Sequence, residues 1–225
     1  MTGRQRTAFA TLACLVLTAS LSLVAAGDNV LPGDVGLARA VQDLDFTGID
    51  RLERLGYFLG SPLGIYSVGL PLIALLALAR DLPGILLVIV ALALRSTNPW
   101  IKELIESPRP TPDLVRVAGN ATGDPGSYGF PSGHVMGTVL LYGAILYLAD
   151  VHIQRPRLRR AIQAVAGLAI LITALSRIYS GAHWPSDVLG GLLWGGLLLF
   201  AIYLIRWGYR AVRGATAQNC NVAQP

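Results

Sequence analysis

Long apolar runs separated by short polar segments dominate the chain. A helix needs about 20 mostly apolar residues to cross the core of a bilayer, and six segments approach that length. The pattern predicts an all-α, polytopic membrane protein: a bundle of six transmembrane helices with no separate soluble domain. The predicted spans lie near residues 7–26, 61–79, 83–100, 133–149, 161–179 and 187–205.

The first apolar run has an alternative interpretation. Arg4 and Arg6 precede it, and it ends in the small-residue sequence Val24-Ala25-Ala26-Gly27, which fits a cleavable signal peptide. Its apolar region is long for that role, which favours a retained helix. The remaining topology is the same in both cases.

Composition and charge agree with a membrane protein and orient it. The chain of 225 residues is 53% hydrophobic and 14% charged, against roughly 25% charged residues in a soluble domain. With the N-terminus in the cytoplasm, the segments between spans satisfy the positive-inside rule. The net charge of +5 is therefore a topology signal, and it predicts no nucleic-acid partner. The cytoplasmic basic residues are Arg4, Arg6, Arg80, Arg155, Arg157, Arg159, Arg160, Arg206, Arg210 and Arg213.

Three outer connections follow from this orientation, at 27–60, 96–132 and 180–186. Within the first, residues 37–59 have apolar positions at mixed helical spacing, which fits a helix lying in the interface or an ordinary amphipathic linker. Asn120-Ala-Thr122 in the second fits a glycosylation sequon, relevant only in a eukaryotic secretory membrane. We divide the chain into a first helix with its outer connection (1–60), a core (61–206) and a cytoplasmic tail (207–225).

Ionisable residues converge on the outer connections, and in so apolar a chain such residues suggest a functional site. The first stretch holds Lys102 and Arg109-Pro110. A spacing of seven places the two cations on one face of a helix, about 10.5 Å apart along it. Pro108 and Pro110 should end the helix and turn the chain before and after Arg109. Both could close on one anion, or both could simply extend to the membrane interface.

The second stretch, Pro131-Ser132-Gly133-His134, directly precedes an apolar helix. Ser132 is a plausible N-cap, Gly133 permits close approach of a ligand, and free N–H groups at a helix start attract anions. The segment lacks the Gly-x-Ser-x-Gly pattern of a serine hydrolase, so Ser132 is interpreted as a phosphate contact. An ordinary capped helix with a buried histidine is the alternative.

The third stretch runs from Ser176-Arg177 through His183 to Asp187. A carboxylate bound to one imidazole nitrogen fixes the tautomer and leaves the other nitrogen free to attack. The alternative is an interfacial loop with a chance histidine and aspartate.

Together the three stretches resemble the signature of the type 2 phosphatidic acid phosphatase superfamily: Lys-x6-Arg-Pro, Pro-Ser-Gly-His and Ser-Arg-x5-His-x3-Asp. The spacings match without departure, and the resemblance covers roughly residues 60–206. It implies that His183 attacks phosphorus and forms a phosphohistidine, Asp187 orients His183, and His134 acts as general acid and then general base. It also implies a set of phosphate-binding groups, namely Lys102, Arg109, Ser132, Gly133 and Arg177.

No metal or other cofactor is expected, because three cations and backbone donors can offset the charge of the phosphoryl group. Arg95 lies seven residues before Lys102. It is a candidate for binding a second phosphate if the substrate is a diphosphate, or it is a residue that merely reaches the interface.

The expected function is hydrolysis of a lipid phosphate held in the bilayer, with the site at the outer interface of a multi-pass plasma (inner) membrane protein, facing the periplasm or exterior. Undecaprenyl diphosphate, phosphatidylglycerol phosphate, phosphatidic acid and diacylglycerol diphosphate are candidate substrates, by family analogy. No obligatory protein partner is evident. A lipid phosphotransferase with the same site, a vanadium-dependent haloperoxidase, and a lipid-binding or transport protein with a degenerate site are the alternatives.

Overall fold

A computed structural model describes residues 3–26, 30–118 and 127–222, with side chains described for 9–26, 30–118 and 127–204. The described residues are helical or irregular and contain no strand, which confirms the all-α prediction. The predicted sequon falls outside them. The helices are α1 (Gly3–Ala25), α2 (Asp34–Gln42), α3 (Ile49–Gly60), α4 (Pro62–Leu78), α5 (Leu82–Leu94), a 3₁₀ turn (Arg95–Thr97), α6 (Asn98–Ile105), α7 (Gly133–His152), α8 (Pro156–Tyr179) and α9 (Pro185–Val222).

Helix α7 is the centre of the bundle. Its residues from Val135 to Ala144 are all buried, as expected of a helix that is apolar on every side. It contacts α8, α9, α5 and α3 most extensively. Met136, Leu140 and Leu141 lie in the largest apolar cluster. The first residue of α7 follows Ser132, so this central packing fixes the position of the second predicted motif.

Four helical segments among the described residues are long and apolar enough to cross a membrane: Leu82–Ile105, Gly133–His152, Pro156–Tyr179 and Pro185–Leu204. A fifth results if α3 and α4, bent by 60° at their junction, count as one span. Helix α1 contributes a shorter apolar segment, Phe9–Ala25. The third span was predicted at 83–100, and the corresponding apolar segment extends further, to Ile105. The count of six spans stays a prediction.

The junction between α3 and α4 is built by Ser61 and Pro62. Ser61 has an extended backbone, ends α3, and accepts a hydrogen bond on its side chain from the Gly64 N–H (3.1 Å). Pro62 occupies the first turn of α4, where its missing N–H removes no intrahelical bond. Residues 37–59 are therefore not one surface helix, because α2 and α3 are separate and α3 packs into the bundle against α8 and α7.

Two turns lie together at one end of the bundle. The His152 Nε2 at the end of α7 is 2.9 Å from Asp81 Oδ2, in the turn between α4 and α5. The turn containing Arg80 and the turn containing Arg155 thus share an end, as the charge pattern predicted. The third predicted motif joins the end of α8 to the start of α9, at the end of α8 that is farthest from the Arg155 turn.

Candidate functional site

His183 and Asp187 form a buried pair in the turn between α8 and α9. The His183 Nδ1 is 3.2 Å from Asp187 Oδ2, and the two side chains are 5% and 0% exposed. The same carboxylate oxygen accepts the Trp184 N–H at 2.9 Å. Asp187 thus holds both the imidazole and the backbone of the turn, which leaves the His183 Nε2 on the far side of the ring.

Asp34, at the start of α2, anchors the first turn of α9. Its carboxylate accepts hydrogen bonds from the Ser186 N–H at 2.9 Å and from the Ser186 hydroxyl at 2.6 Å. Orphan N–H groups at a helix start need such partners. Sequence reasoning missed Asp34, because its partner lies 152 residues away.

Lys102 and Arg109 come together, but not on one helix face as the spacing suggested. Helix α6 ends at Ile105 and Glu106 adopts a left-handed conformation (φ 56°), since a proline at position 108 disfavours helix in the residue before it. The Arg109 guanidinium donates to the Ser127 carbonyl and hydroxyl (3.1 and 2.9 Å) and to the Ala182 carbonyl (3.0 Å), next to His183. The Lys102 Nζ donates to the carbonyl of Tyr128.

Ser132 occupies the N-cap position of α7, as predicted, but its hydroxyl caps nothing. The Ser132 Oγ is buried and has no hydrogen-bond partner among the described residues. The Ser132 N–H donates to the Asp187 carbonyl at 2.9 Å, which ties the second motif to the third. A free hydroxyl in this position is available to a ligand.

Gly133 has no side chain at the point where the Asn98 side chain packs against the backbone. A Cβ there would lie 2.6 Å from the Asn98 Oδ1, and Asn98 donates to the Pro131 carbonyl at 3.1 Å. The contact brings α6 against the start of α7. His134 follows, and its Nε2 is buried without a hydrogen-bond partner among the described residues.

Arg177 is held by α3. Its NH2 group donates to the Glu53 carboxylate (3.0 Å) and to the Ser176 hydroxyl (2.8 Å). The guanidinium carbon lies 4.8 Å from the centre of the Tyr57 ring. The centre of the same ring is 5.2 Å from that of the His134 imidazole. The Arg177 Nε is buried and unpaired among the described side chains.

Sequence reasoning missed Glu53 and Tyr57 as site residues. The spacing Gly56-x-x-x-Gly60 was a usable signal, because two glycines one turn apart allow close helix packing. A Cβ at Gly56 would lie 2.5 Å from both the Ile172 carbonyl oxygen and the Ser176 Cβ, and one at Gly60 would lie 2.8 Å from the His134 Cβ.

Arg95 lies beside the site and deeper along α7. A Cβ at Gly137 would be 3.0 Å from the Arg95 Nε. Gly137 is one helical turn beyond His134, on the same face of α7. The Arg95 Nε is buried and has no hydrogen-bond partner among the described residues. No described carboxylate forms an ion pair with Arg95.

The positive groups converge on His183. Burial lowers the pKa of His183 well below its usual value, because desolvation disfavours the imidazolium. Its imidazole is therefore neutral near pH 7, as a nucleophile must be. Nearby positive groups lower that pKa further, and they are Lys102, Arg109, His134 and Arg177. The structure thus brings all three predicted motifs to one place.

This arrangement suits an anion with several oxygens. Arginine offers bidentate donors and lysine a point charge, while the free donors at Ser132 and Arg177 point to unmet hydrogen-bonding capacity. Among the described residues, no group of three or more His, Cys, Asp or Glu side chains could hold a metal ion. The chemistry that fits is transfer of a phosphoryl group to a buried, neutral imidazole.

The chain is similar to known phosphatases. The family model described as the PAP2 superfamily matches residues 82–211. Phosphatidylglycerophosphatase B of Bacillus subtilis is 32% identical over 146 residues, which cover 62% of this chain and 68% of that protein. Lipid phosphate phosphatase delta of Arabidopsis thaliana is 31% identical over 104 residues, which are 44% of this chain and 25% of that one.

A solved structure shares the fold. The crystal structure of a transmembrane PAP2 type phosphatidylglycerolphosphate phosphatase from Bacillus subtilis superposes with a TM-score of 0.69. It is 24% identical, and the match covers 88% of this chain and 96% of that one. The likeness supports a helical membrane architecture for the present chain.

Proposed function

Because the chain belongs to the PAP2 superfamily, we propose that this membrane phosphatase hydrolyses a lipid phosphate or diphosphate through a phosphohistidine on His183. The observation that carries the proposal is the buried His183–Asp187 pair faced by Lys102, Arg109 and Arg177. The carboxylate bound to Nδ1 orients the imidazole so that Nε2 can attack phosphorus in line. The positive groups around the ring stabilise the negative charge of the phosphoryl oxygens.

The proposed reaction has two steps. In the first, the His183 Nε2 lone pair forms a bond to phosphorus, the bond from phosphorus to the lipid oxygen breaks, and His134 gives that oxygen a proton. In the second, His134 takes a proton from water, the resulting oxygen attacks phosphorus, and the P–N bond breaks to release phosphate. Asp187 stabilises the positive charge that His183 carries in the intermediate.

Lys102, Arg109 and Arg177 are the proposed binding groups for the phosphoryl oxygens, with the Ser132 hydroxyl and the Gly133 N–H. Their support is the convergence of charge on His183 and the free Ser132 Oγ and Arg177 Nε. Three cations match the charge that spreads over the transferring group, so we propose that the reaction is independent of metal.

We propose that the site faces the periplasm or the exterior. The turns that carry Arg80 and Arg155 share one end of the bundle, and His183 lies in a turn at the other end of α8. Arginine-rich turns are retained in the cytoplasm. Exposed leucines along α4, such as Leu70, Leu75 and Leu78, supply a lipid-facing surface.

The proposed substrate is a phospholipid phosphate or a polyprenyl diphosphate. Arg95 supports inclusion of the diphosphates. It is a cation within a candidate span, without an ion-pair partner among the described residues, and such a residue normally faces a functional cavity. Because the Arg95 Nε lies against Gly137, which is one turn beyond His134 on α7, we propose that Arg95 contacts the phosphate that stays with the lipid.

Phosphate release by the purified full-length protein in detergent tests the proposal. Phosphatidylglycerol phosphate, phosphatidic acid and undecaprenyl diphosphate are the substrates, each with and without EDTA. Release that EDTA does not change, and that His183→Ala abolishes, is the expected result. Release that persists in His183→Ala would contradict the nucleophile, and phosphate found on an added alcohol would make the protein a transferase.

A further inference from the structure

Helix α3 lies outside the family-matched region, residues 82–211, and packs against α8 and α7 beside the site. Its residues Glu53 and Tyr57 are one turn apart and point to the same guanidinium. Gly56 and Gly60 allow α3 to pack closely against α8 and α7. The side chain that both residues contact is Arg177, so any effect that they share on the site acts through Arg177.

We propose that Glu53 and Tyr57 are positioning residues that fix the Arg177 guanidinium for phosphate binding. The proposal rests on the function proposed for Arg177. The NH2 group of the guanidinium is committed to Glu53 and Ser176, and the Tyr57 ring covers one face of the guanidinium. Together these contacts fix the direction of the Arg177 Nε–H. That donor is buried and has no partner among the described residues.

The contacts around Glu53 are arranged to hold it in one place. The Ser176 hydroxyl donates to the Glu53 backbone carbonyl at 2.8 Å, while the side chain of Glu53 receives the Arg177 NH2. The Glu53 side chain is 14% exposed and that of Arg177 is 4% exposed. A charge-assisted pair with so little solvent around it has a tightly constrained geometry, because water cannot substitute for either partner.

Tyr57 links Arg177 to the second proposed catalytic group. Its ring lies between the guanidinium and the His134 imidazole, at 4.8 and 5.2 Å from their centres. The ring face attracts a cation and separates two groups that would repel each other when His134 is protonated. A flat aromatic ring is needed for this, and the hydroxyl is not.

A double-mutant cycle of Glu53→Gln with Arg177→Ala tests the proposal. Glu53→Gln preserves the size of the side chain and removes its charge. In the wild-type background we expect kcat/KM for the lipid phosphate to fall roughly 10- to 100-fold, as when a hydrogen bond to a charged group is lost. In the Arg177→Ala background, the same change should alter kcat/KM by less than about twofold, because sites that act through one group are not additive.

Asp50→Asn is the matched control, since Asp50 is an exposed acidic residue one turn earlier on α3. It should leave kcat/KM unchanged. Tyr57→Phe should also retain activity, whereas Tyr57→Leu should lose it. Equal losses from Glu53→Gln in the two backgrounds, or no loss in the wild type, would overturn the proposal, because Glu53 would then act on the packing of α3 or on nothing.

Calorimetric binding of orthovanadate, a phosphate mimic, provides the same cycle without turnover. Glu53→Gln should weaken vanadate binding only when Arg177 is present, and the thermal midpoint of each variant shows that it folds. If wild type releases no phosphate from any lipid, the proposed function fails while this binding cycle still decides the coupling. If wild type is active and the cycle shows no coupling, only the role of Glu53 fails.

Discussion

The carboxylate of Asp34 binds both the backbone N–H and the hydroxyl of Ser186, next to the proposed catalytic Asp187. Asp34 is buried, so its partners cannot be replaced by water. The contact fixes the first turn of α9 relative to α2, and through that turn it fixes the carboxylate that orients His183.

Asp34→Ala should therefore reduce both stability and activity. Loss of a buried acceptor costs about 1–3 kcal/mol, and the freed turn should move Asp187 away from His183 and lower kcat. Chemical denaturation and phosphate release measure the two effects. Asp45→Ala is the control, since Asp45 is exposed on the loop between α2 and α3, and a similar loss in that variant would contradict the anchoring role.

The pH dependence of kcat/KM should report the lowered pKa of His183. The group is neutral above that pKa, so the nucleophile should stay active well below pH 6.5, the ordinary value for histidine. His134 is the proposed acid of the first step, so loss of its proton should give an alkaline limb of kcat/KM. An acid limb near pH 6.5 would contradict a depressed pKa at His183.

The free energy of unfolding should also depend on pH through His183, and it should decrease as the pH falls. The folded pKa of His183 lies below the unfolded one, so the unfolded chain binds the proton first as pH falls, and unfolding becomes easier below about pH 6.5. Above that pH, His183 contributes no such dependence. The thermal midpoint of wild type should therefore fall more steeply than that of His183→Asn between about pH 6.5 and pH 4.5. Parallel curves would contradict the linkage.

His134→Ala should separate the two chemical steps. Lipid phosphates have poor leaving groups and need the proton, so their hydrolysis should fall about 10²–10⁴-fold. p-Nitrophenyl phosphate needs no proton on its leaving group, so its first step should survive while the second slows. A burst of nitrophenol and an acid-labile phosphoenzyme are the expected signals.

His152→Ala is the matched histidine variant for that experiment. His152 is bonded to Asp81 at the other end of the bundle, so its loss should leave both substrates unaffected. Equal losses on the lipid and on p-nitrophenyl phosphate in His134→Ala, with no phosphoenzyme, would contradict the assignment of His134 as acid and base.

Arg95→Gln should change the preference between mono- and diphosphate lipids. Diacylglycerol diphosphate and phosphatidic acid with the same acyl chains form the matched substrate pair. The kcat/KM for the diphosphate, divided by that for phosphatidic acid, should fall roughly 10- to 100-fold in the variant. This is the effect of one lost hydrogen bond to a charged group. Arg54→Gln, at an exposed position on α3, should leave the ratio unchanged, and equal losses on both lipids in Arg95→Gln would remove the second-phosphate role.

Gly56→Ala should disrupt the packing of α3. The added methyl would meet the Ile172 carbonyl oxygen and the Ser176 Cβ at 2.5 Å, and such overpacking costs about 1–3 kcal/mol. Gly167→Ala on α8 is the control, because nothing lies within 4 Å of its would-be Cβ. Resistance to unfolding in detergent and the rate of phosphate release should both decline in Gly56→Ala only.

The residues that sequence alone could identify are those in local motifs. Ser132 at the start of α7, and His183 and Asp187 one turn apart, are placed by short-range rules of helix capping and spacing. A break of the helix near Pro108 was predicted, but the shared helix face for Lys102 and Arg109 was wrong. Helix α6 ends at Ile105, and the position of Arg109 depends on the fold of the following loop.

The residues that sequence could not identify are joined by contacts of long range. Asp34 and Glu53 bind partners more than 100 positions away, and no periodicity links the two members of such a pair. Glu53 lies in the segment 37–59, whose apolar spacing fitted an interfacial helix as well as an amphipathic linker. That spacing was ambiguous because the polar residues of the segment face both the site and the outer surface. Only the packing of α3 on α8 distinguishes those two directions.

The site takes its parts from both ends of the chain, and this has a consequence for synthesis. Glu53 lies in α3 and Arg177 in α8, whereas Asp187 lies in α9, the last of the described helices. In synthesis from the N-terminus, both members of the Glu53–Arg177 pair are therefore made before Asp187. A chain ending after α8 would lack the carboxylate that we propose directs the nucleophile. In the proposed mechanism, turnover therefore requires α9 to be in place.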